Sequence, residues 1–261
     1  MTFVNYLRTL SILRFKKSLQ LLPLGRHREY TPFIILCHGR TGSTLLHTYL
    51  NSHPAIVSSG EYAGDYIKKA KGEMETHYFK NHIFNAHPKP IKAVGLKFFF
   101  RYSDYARGET CIRELREMSS LKVIVLSRKN MIRTVISSLI ADKTGALSYW
   151  GDKHQLDTKD KRLYVDTDEC IRELKKMEEE RNRFDEIFQN HQRLYLSYEE
   201  LLSEKGLTLN KVQRFLNVKP RILFTLLKKQ NPEPLSQLII NFNELEKALN
   251  DTPWQSMLYQ P

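Results

Sequence analysis

The chain has few cysteines and no long apolar run. Its 261 residues include Cys37, Cys111 and Cys170, whose odd number and wide spacing give neither a disulfide framework nor a zinc-binding pattern. No apolar stretch approaches the roughly 20 residues that a helix needs to cross a bilayer. The N-terminal segment also lacks the apolar core and small-residue cleavage site of a signal peptide. We therefore expect a cytoplasmic protein without a transmembrane segment.

Acidic residues are too few to balance the basic ones. The chain has 41 Lys and Arg residues against 29 Asp and Glu residues, which gives a net charge of +12. A basic surface attracts anions, whether a small polyanionic ligand, a nucleic acid or an anionic membrane, so charge alone does not select among them. The 27% of charged residues and 41% of hydrophobic residues are typical of a soluble globular protein with a full core.

Two regions differ in character. Residues 1–30 are interrupted by basic side chains and have an apolar helical face, so they predict a basic helical extension packed on the rest of the chain. Peripheral contact with a membrane is the alternative. Residues 31–261 show no repeat and no linker that would divide them, which predicts one α/β domain.

Short β-branched apolar runs alternate with segments of helical periodicity, which favours a mostly parallel sheet flanked by helices. Residues 143–166 predict an irregular loop of the kind that often serves as a lid or binding loop. The predicted strands are residues 33–36, 92–99, 122–126 and 193–197. The predicted helices are residues 110–118, 131–141, 167–189, 208–216 and 241–249, the third of them capped by Thr167 or Asp168.

A glycine- and hydroxyl-rich turn lies between the first predicted strand and a helical segment. A strand, a tight loop and a helix in this order hold phosphate, because the loop amides and the positive end of the helix face the anion. The glycines allow close approach of the backbone, the arginine adds charge, and the hydroxyls donate hydrogen bonds. The predicted binding residues are Gly39, Arg40, Thr41, Gly42, Ser43 and Thr44.

This turn lacks the lysine of a nucleoside-triphosphate loop. The pattern G-x-x-x-x-G-K-[ST] places a lysine before the hydroxyl that binds Mg²⁺, whereas here Ser43 follows Gly42 directly and the cation comes early, at Arg40. No obvious Mg²⁺-binding aspartate accompanies the loop, so we expect no metal. A P-loop kinase or NTPase remains the alternative, and stabilisation of the fold by ATP with Mg²⁺ would favour it.

The turn, together with Leu50–Pro54 and Gly60–Glu61, resembles the 5′-phosphosulfate loop of sulfotransferases, which use 3′-phosphoadenosine 5′-phosphosulfate (PAPS). Cytosolic members usually carry lysine at the early position. The carbohydrate, tyrosyl-protein and bacterial glycolipid branches often carry arginine, as this chain does at Arg40. The resemblance implies a three-layer, P-loop-like α/β domain, PAPS as co-substrate, and a small-molecule or glycan acceptor, with a carbohydrate or glycolipid hydroxyl favoured.

The second motif is Val123–Ser138, in which a strand ends at Arg128 and a helix follows. In sulfotransferases an arginine and a serine at these places hold the 3′-phosphate, which implies this role for Arg128 and Ser137. An arginine offers a rigid fork of donors to phosphate. Ser138 is the neighbouring candidate, because the spacing varies between branches, and a salt bridge at the sheet edge is the structural alternative for Arg128.

Two further segments resemble the family more weakly. Tyr198 lies in a segment similar to the family's L-x-Y-E-D/E-L and could contact the adenosine or simply pack. Lys228 and Lys229 lie where cytosolic members carry a glycine-containing loop over the 3′-phosphate. This chain lacks those glycines, so the two lysines could cover the nucleotide or form a solvated basic turn.

The resemblance also implies the catalytic residues. Glu61 matches the general base of the tyrosyl-protein and glycolipid branches, with capping of a following helix as the alternative. Lys97, at the end of the second strand, matches a lysine that bridges to the sulfuryl group, although it could extend from a sheet edge to solvent. Arg40 would stabilise charge on the leaving phosphate.

A non-catalytic basic protein that binds nucleic acid or membrane is the other rival interpretation. Residues 172–183 contain Lys175, Lys176 and Arg181, but the glutamates among them make a mixed, solvated face. We therefore expect no nucleic-acid partner. The sequence leaves the oligomeric state open.

Overall fold

The computed structural model describes residues 11–12, 16, 18, 25–68, 75, 77–145, 157–227 and 231–260. The strands in chain order are β1 Arg26–His27, β2 Thr31–Cys37, β3 Ile56–Ser58, β4 His87–Pro88, β5 Ala93–Phe99, β6 Lys122–Ser127 and β7 Gln192–Ser197. The helices are α1 Ser43–Asn51, α2 Gly64–Lys68, α3 Tyr78–His82, α4 Gly108–Glu117, α5 Met131–Thr144, α6 Thr158–Lys161, α7 Thr167–Ile187, α8 Tyr198–Ser203, α9 Lys205–Phe215, α10 Leu235–Leu238 and α11 Phe242–Ala248. Two 3₁₀ helices span Phe100–Asp104 and Gln255–Tyr259.

Five strands form a parallel sheet in the order β3-β5-β2-β6-β7. β2 lies in the middle and pairs with β5 on one side and β6 on the other. Because parallel strands end at the same edge of a sheet, the segments that follow them meet there. This edge carries the glycine- and hydroxyl-rich turn after β2, Glu61 after β3, Arg128 after β6 and Tyr198 after β7. The predicted parallel α/β sheet is confirmed.

The sheet is buried on both faces. All seven residues of β5 are buried, and six of the seven in β2 are, as expected when helices cover both sides. Gly95 of β5 is required by the pairing with β2, because a Cβ atom there would lie 2.2 Å from the Phe33 carbonyl oxygen. The helices and the sheet therefore form the three layers that the sequence predicts.

The apolar core has two parts. The larger cluster surrounds the central sheet, and a second cluster joins α5 and α7 to the C-terminal segment through residues such as Ile136, Leu174 and Trp254. The Trp254 indole N–H donates to Glu178 on α7 at 3.1 Å. This second cluster fixes α5, which carries Ser137, against the end of the chain.

Side-chain caps define where α5 and α7 begin. The Asn130 side chain accepts a hydrogen bond from the Arg133 amide and starts α5. The Asp166 carboxylate does the same for α7 by accepting from the Glu169 amide. The expectation that Thr167 or Asp168 caps α7 is therefore wrong by one or two residues, because Asp166 holds the extended conformation of a cap.

Much of the predicted extension over residues 1–30 lies outside the described residues, and so do residues 146–156 of the predicted loop. Lys16 is described, and its ammonium donates to the Asn51 carbonyl at 2.8 Å, next to the end of α1. In the described part of the chain, no helix is long and apolar enough to cross a membrane. No cluster of three or more potential metal ligands occurs among the described residues.

Candidate active site

The turn after β2 reverses the chain through two left-handed residues, Arg40 with φ of 65° and Gly42 with φ of 86°. The Thr41 hydroxyl donates to the His38 carbonyl at 2.8 Å and holds the turn. Helix α1 begins at Ser43, and no side chain caps its N-terminus. The first amides of α1 therefore have no side-chain cap and can bind an anion. The positive end of the helix attracts the same anion.

Arg40 reaches across the sheet edge to the second motif. Its Nε donates a 3.0 Å hydrogen bond to the Ser137 hydroxyl on α5. The Asn231 side-chain amide donates to the same hydroxyl at 3.2 Å. Ser137 is 8% exposed, so the structure brings the two predicted nucleotide motifs together around one buried oxygen. The neighbouring candidate Ser138 lines a different cavity, which also contains His38 and Gly39.

Arg128 follows β6 and lines a small crevice with Ser137, Arg133 and Asn231. Its Nε is buried and has no hydrogen-bond partner in the described part of the chain. Burial is the main reason that the pKa of Arg128 falls below its usual range, and the charges of Arg133 and Arg40 lower it further. A partly buried arginine whose Nε has an open donor, and which lies beside two other arginines, suits an anionic ligand such as a phosphate.

Tyr198 packs between the turn and Arg128. The Arg128 guanidinium lies 4.9 Å from the centre of the Tyr198 ring, within cation–π distance. A Cβ atom on Gly42 would lie 2.5 Å from Tyr198 Cδ2. Gly42 is therefore required both by its left-handed backbone and by the ring packed against it, and Tyr198 supports the turn directly.

The second group of polar residues surrounds Lys97. Its ammonium donates to Glu61 Oε1 at 2.8 Å and to the Thr44 hydroxyl at 3.1 Å. The Lys97 side chain is 4% exposed, whereas that of Glu61 is 51% exposed. The alternative role for Lys97, extension to solvent from a sheet edge, is therefore excluded by its burial. The chain after β3 returns beside the turn because the Lys97 amide donates to the Gly60 carbonyl at 2.8 Å.

His47 lies beside this group, although the sequence indicates no role for it. Its Nδ1 lies 2.7 Å from the Ser58 hydroxyl. Burial lowers the pKa of His47 to about 4, and the charges of Lys97 and Lys16 contribute. His47 is therefore neutral near neutral pH and adds no charge beside Lys97. The only feature of the sequence that could have placed His47 at the site is its position one turn after Thr44 on α1.

Arg133 and Asn231 are the other residues at the site that sequence reasoning missed. The Arg133 guanidinium donates to the Glu233 carbonyl at 3.1 Å and the Gln260 carbonyl at 3.3 Å, which ties it to the C-terminal segment. Asn231 belongs to the segment in which Lys228 and Lys229 were predicted to bind the nucleotide. Both lysines lie outside the described residues.

The sequence model of the sulfotransferase family matches residues 32–220, which is most of the chain. The chain belongs to the sulfotransferase family. The matched segment contains the turn, Glu61, Lys97, Arg128, Ser137 and Tyr198. As a sulfotransferase, the protein is an enzyme that transfers sulfuryl groups.

Two similar curated proteins are both called Nodulation protein H. The one from Rhizobium tropici is 25% identical over 234 residues, which cover 85% of this chain and 91% of that protein. The one from Rhizobium meliloti (strain 1021) is 24% identical over 233 residues, which cover 85% and 93%. This sulfotransferase therefore aligns with these relatives along nearly their whole length.

A solved sulfotransferase from Alicyclobacillus acidocaldarius has a TM-score of 0.44 to this structure at 13% sequence identity, with 84% of this chain and 92% of that chain covered. A likeness at that score carries no argument about the site. The family assignment therefore depends on the sequence match and on the parallel sheet described above.

Proposed function

We propose that this sulfotransferase uses PAPS as its donor and transfers the sulfuryl group to a hydroxyl of a carbohydrate or glycolipid. The observation that carries the donor assignment is the hydrogen bond between Arg40 and Ser137. It joins the turn suited to a 5′-phosphosulfate with the crevice suited to a 3′-phosphate. A nucleoside triphosphate has no 3′-phosphate, so it would leave the second group of cations without a ligand.

The donor would be held at both of its phosphate ends. The loop amides of residues 39–44 and Arg40 would bind the 5′ end, as in other helix N-terminal anion sites. Arg128 and Ser137 would bind the 3′-phosphate, and the open buried Nε of Arg128 supports that fit. Arg133 and Asn231 line the same crevice and extend the predicted set. Contact of Tyr198 with the adenosine, and of Lys228 and Lys229 with the nucleotide, remain predictions.

The residues around Lys97 would perform the chemistry. When bound, PAPS supplies the sulfuryl group, whose sulfur forms a bond to the acceptor oxygen as its bond to the 5′-phosphate breaks. Glu61 would accept the proton of the acceptor hydroxyl as general base. Arg40 and the loop amides would stabilise the negative charge on the departing phosphate. Lys97, held between Thr44 and Glu61, would stabilise charge on the sulfuryl oxygens.

The acceptor class follows from the motif resemblance rather than from a bound ligand. An arginine-led turn followed by Gly60–Glu61 resembles the carbohydrate, tyrosyl-protein and bacterial glycolipid branches, and the first and last of these support a sugar hydroxyl. A single domain over residues 31–261, a cytoplasmic location and the lack of a nucleic-acid partner remain predictions from the sequence. No step of the proposed reaction requires a metal.

A thermal-shift series tests the donor assignment. We expect adenosine 3′,5′-bisphosphate to raise the unfolding temperature, because a ligand that binds only the folded state stabilises it. ATP with Mg²⁺ at the same concentration should raise it less. A larger shift with ATP and Mg²⁺ would favour the kinase or NTPase alternative and overturn the proposal. Transfer of label from ³⁵S-PAPS to a panel of sugars then tests the acceptor.

A further inference from the structure

Strand β3 leads the chain to Glu61, but it is the shortest strand of the five-stranded sheet. It has three residues, Ile56–Ser58, and it lies at the edge, where β5 is its one partner among the described strands. The Ser59 amide donates to the Gly95 carbonyl of β5 at 2.7 Å. Because backbone groups of successive strand residues face opposite sides, those of Ser58 face away from β5. An edge strand leaves such groups unpaired unless something covers them.

Asn51, the last residue of α1, covers this open side of β3. Its side-chain Nδ2 donates to the Ser58 carbonyl at 2.8 Å, and its Oδ1 accepts from the Ser58 amide at 3.1 Å. One carboxamide therefore satisfies both backbone groups of a single residue, as a residue of a further strand would. Ser58 is only 5% exposed, so little water is available to replace these two bonds if they are lost.

Lys16 sets the orientation of the Asn51 side chain. Its ammonium donates to the Asn51 backbone carbonyl at 2.8 Å, to Oδ1 of the same residue at 3.4 Å, and to the Ile56 carbonyl. An ammonium has only donors, so it favours the orientation that turns Oδ1 rather than Nδ2 toward it. In that orientation the carboxamide matches the amide and the carbonyl of Ser58. Lys16 therefore connects the N-terminal region to β3.

His47, one turn before Asn51 on α1, contacts both Ser58 and Gly60. Its Nε2 lies 3.4 Å from Asn51 Nδ2, which is a donor, so Nε2 accepts and Nδ1 carries the proton of the neutral ring. Nδ1 then donates to the Ser58 hydroxyl, 2.7 Å away. Gly60 has a left-handed φ of 61°, and a Cβ atom there would lie 3.3 Å from His47 Cε1. The ring therefore restricts the path of the chain just before Glu61.

We propose that Asn51 is a positioning residue for Glu61, and that Lys16 and His47 assist it. Asn51 takes the place of a neighbouring strand on the open side of β3 and so fixes the short segment that leads from the strand to Glu61. The Glu61 side chain is 51% exposed, so little packing holds it, and its contact with the Lys97 ammonium depends on where its backbone lies. The inference rests on the proposed function, because Asn51 acts through the general base of that reaction.

Hydrogen exchange followed by NMR tests the positioning without an acceptor. In Asn51→Ala, the Ser58 amide loses its acceptor and should exchange about tenfold faster or more. The Lys97 amide should do the same, because it bonds the Gly60 carbonyl in the segment that is released. Amides of the central strand β2 report global unfolding and should change less.

The matched control for exchange is Asn210→Ala, which replaces an exposed asparagine on α9 and should leave all of these rates unchanged. Acceleration of the Lys97 amide beyond that of β2 in Asn51→Ala supports the proposal. An unchanged Lys97 amide, or one accelerated only as much as β2, would show no more than a loss of stability and would overturn it.

A double-mutant cycle with Glu61→Gln tests the consequence for catalysis. Label transfer from ³⁵S-PAPS to the best acceptor of the sugar panel is measured at saturating PAPS, per bisphosphate-binding site. Asn51→Ala should lower kcat by about 10–10²-fold with the KM for PAPS unchanged, since a displacement of about 1 Å can cost that much. In the Glu61→Gln background the same change should cost less than about twofold, because no base remains to be misplaced. Equal losses in both backgrounds would give Asn51 a structural role only.

Asn51→Asp is a milder variant that preserves the size of the side chain and guards against a failure of Asn51→Ala to fold. It keeps an acceptor for the Ser58 amide and for Lys16, but it faces the Ser58 carbonyl with an oxygen instead of a donor. We expect kcat to fall by about threefold to tenfold, again only when Glu61 is present, while Asn210→Asp keeps the wild-type kcat. A wild-type kcat in Asn51→Asp would contradict the proposal.

The outcomes separate this inference from the proposed function. If Glu61→Gln alone leaves kcat unchanged, the base assignment fails and the positioning of a base fails with it. If Glu61→Gln lowers kcat while Asn51→Ala keeps the wild-type kcat and the wild-type exchange of the Lys97 amide, the positioning inference alone fails. Failure of the wild type to bind adenosine 3′,5′-bisphosphate sinks the donor assignment.

Discussion

Arg40 and Ser137 are joined by a hydrogen bond of 3.0 Å although they lie 97 residues apart in the chain. One begins the turn after β2 and the other lies on the helix after β6. Their contact exists because β2 and β6 are neighbours in a parallel sheet and end at the same edge. The proposed binding of one nucleotide at both of its phosphates depends on this contact.

Replacing Arg40 tests that contact. We expect Arg40→Ala to lower kcat/KM by about 10²–10³-fold, since one lost donor to a developing negative charge costs about that much. It should also weaken binding of adenosine 3′,5′-bisphosphate in calorimetry. Arg40→Lys restores the charge without the Nε donor and should be intermediate. Transfer at the wild-type rate in Arg40→Ala would contradict the role given to this residue.

Glu61 is the proposed general base, and Glu61→Gln keeps an acceptor for Lys97 while removing basicity. We expect kcat to fall by about 10²–10⁴-fold, with an unchanged dissociation constant for adenosine 3′,5′-bisphosphate. Single-turnover assays with saturating PAPS measure the chemical step directly. An unchanged rate in that assay would remove Glu61 from the mechanism, while a loss of bisphosphate binding would give it a role in the site's structure.

Alanine substitutions at Gly42 and Gly39, the two glycines of the turn, form a matched pair of variants. Gly42→Ala forces a left-handed alanine and places its Cβ 2.5 Å from the Tyr198 ring, so we expect a loss of about 1–3 kcal/mol of folding stability. Gly39→Ala meets no atom within 4 Å and should unfold at nearly the wild-type temperature. Calorimetric unfolding without ligand measures both. Equal unfolding temperatures for the two variants would show that the packing of Tyr198 on the turn is wrong.

His38 and Glu180 predict a change of stability with pH. His38 Nε2 donates to the Met177 carbonyl at 3.1 Å, so neutral His38 presents an unprotonated Nδ1 to Glu180, 3.3 Å away. Burial lowers the pKa of His38 to about 4 and raises that of Glu180 to about 7. Between about pH 4 and pH 7 the proton therefore resides on Glu180, and its contact with His38 is a hydrogen bond rather than an ion pair.

The direction of this change in stability with pH follows from the linkage between proton binding and folding. Because the pKa of Glu180 rises from 4.5 to about 7 on folding, the folded state binds more protons between these values. The contribution of Glu180 to stability is therefore lost as pH rises through this window. We expect Glu180→Gln to unfold at progressively higher temperatures than wild type as pH increases from 4.5 to 7. Glu179→Gln on the same helix is the control, and a constant difference across the window would refute the assignment.

The sheet could be predicted from the sequence because its strands are continuous apolar runs buried on both faces. The runs at residues 33–36 and 122–126 correspond to Thr31–Cys37 and Lys122–Ser127. The short helices Tyr78–His82 and Leu235–Leu238 were not predicted, since four or five residues show no reliable periodicity. The local pattern of apolar residues therefore predicts the long strands and helices but not the short helices.

The site was predictable in its residue types but not in its contacts. The motifs identified Arg40, Lys97 and Glu61, whereas the burial of Lys97 between Glu61 and Thr44 depends on pairing of the three-residue strand β3 with β5. His53 Nε2 lies 3.0 Å from the carbonyl of Lys219, which is 166 residues away in the chain. Such long-range partners leave no signal in local sequence.

Calorimetric titration of adenosine 3′,5′-bisphosphate and adenosine 5′-monophosphate into wild type and Arg128→Gln tests the central claim most directly. The wild type should bind the bisphosphate at least about tenfold more tightly, because the 3′-phosphate meets Arg128 and Ser137. Arg128→Gln should lose most of that difference while binding the monophosphate as the wild type does. Equal affinities of the wild type for the two nucleotides would contradict the account.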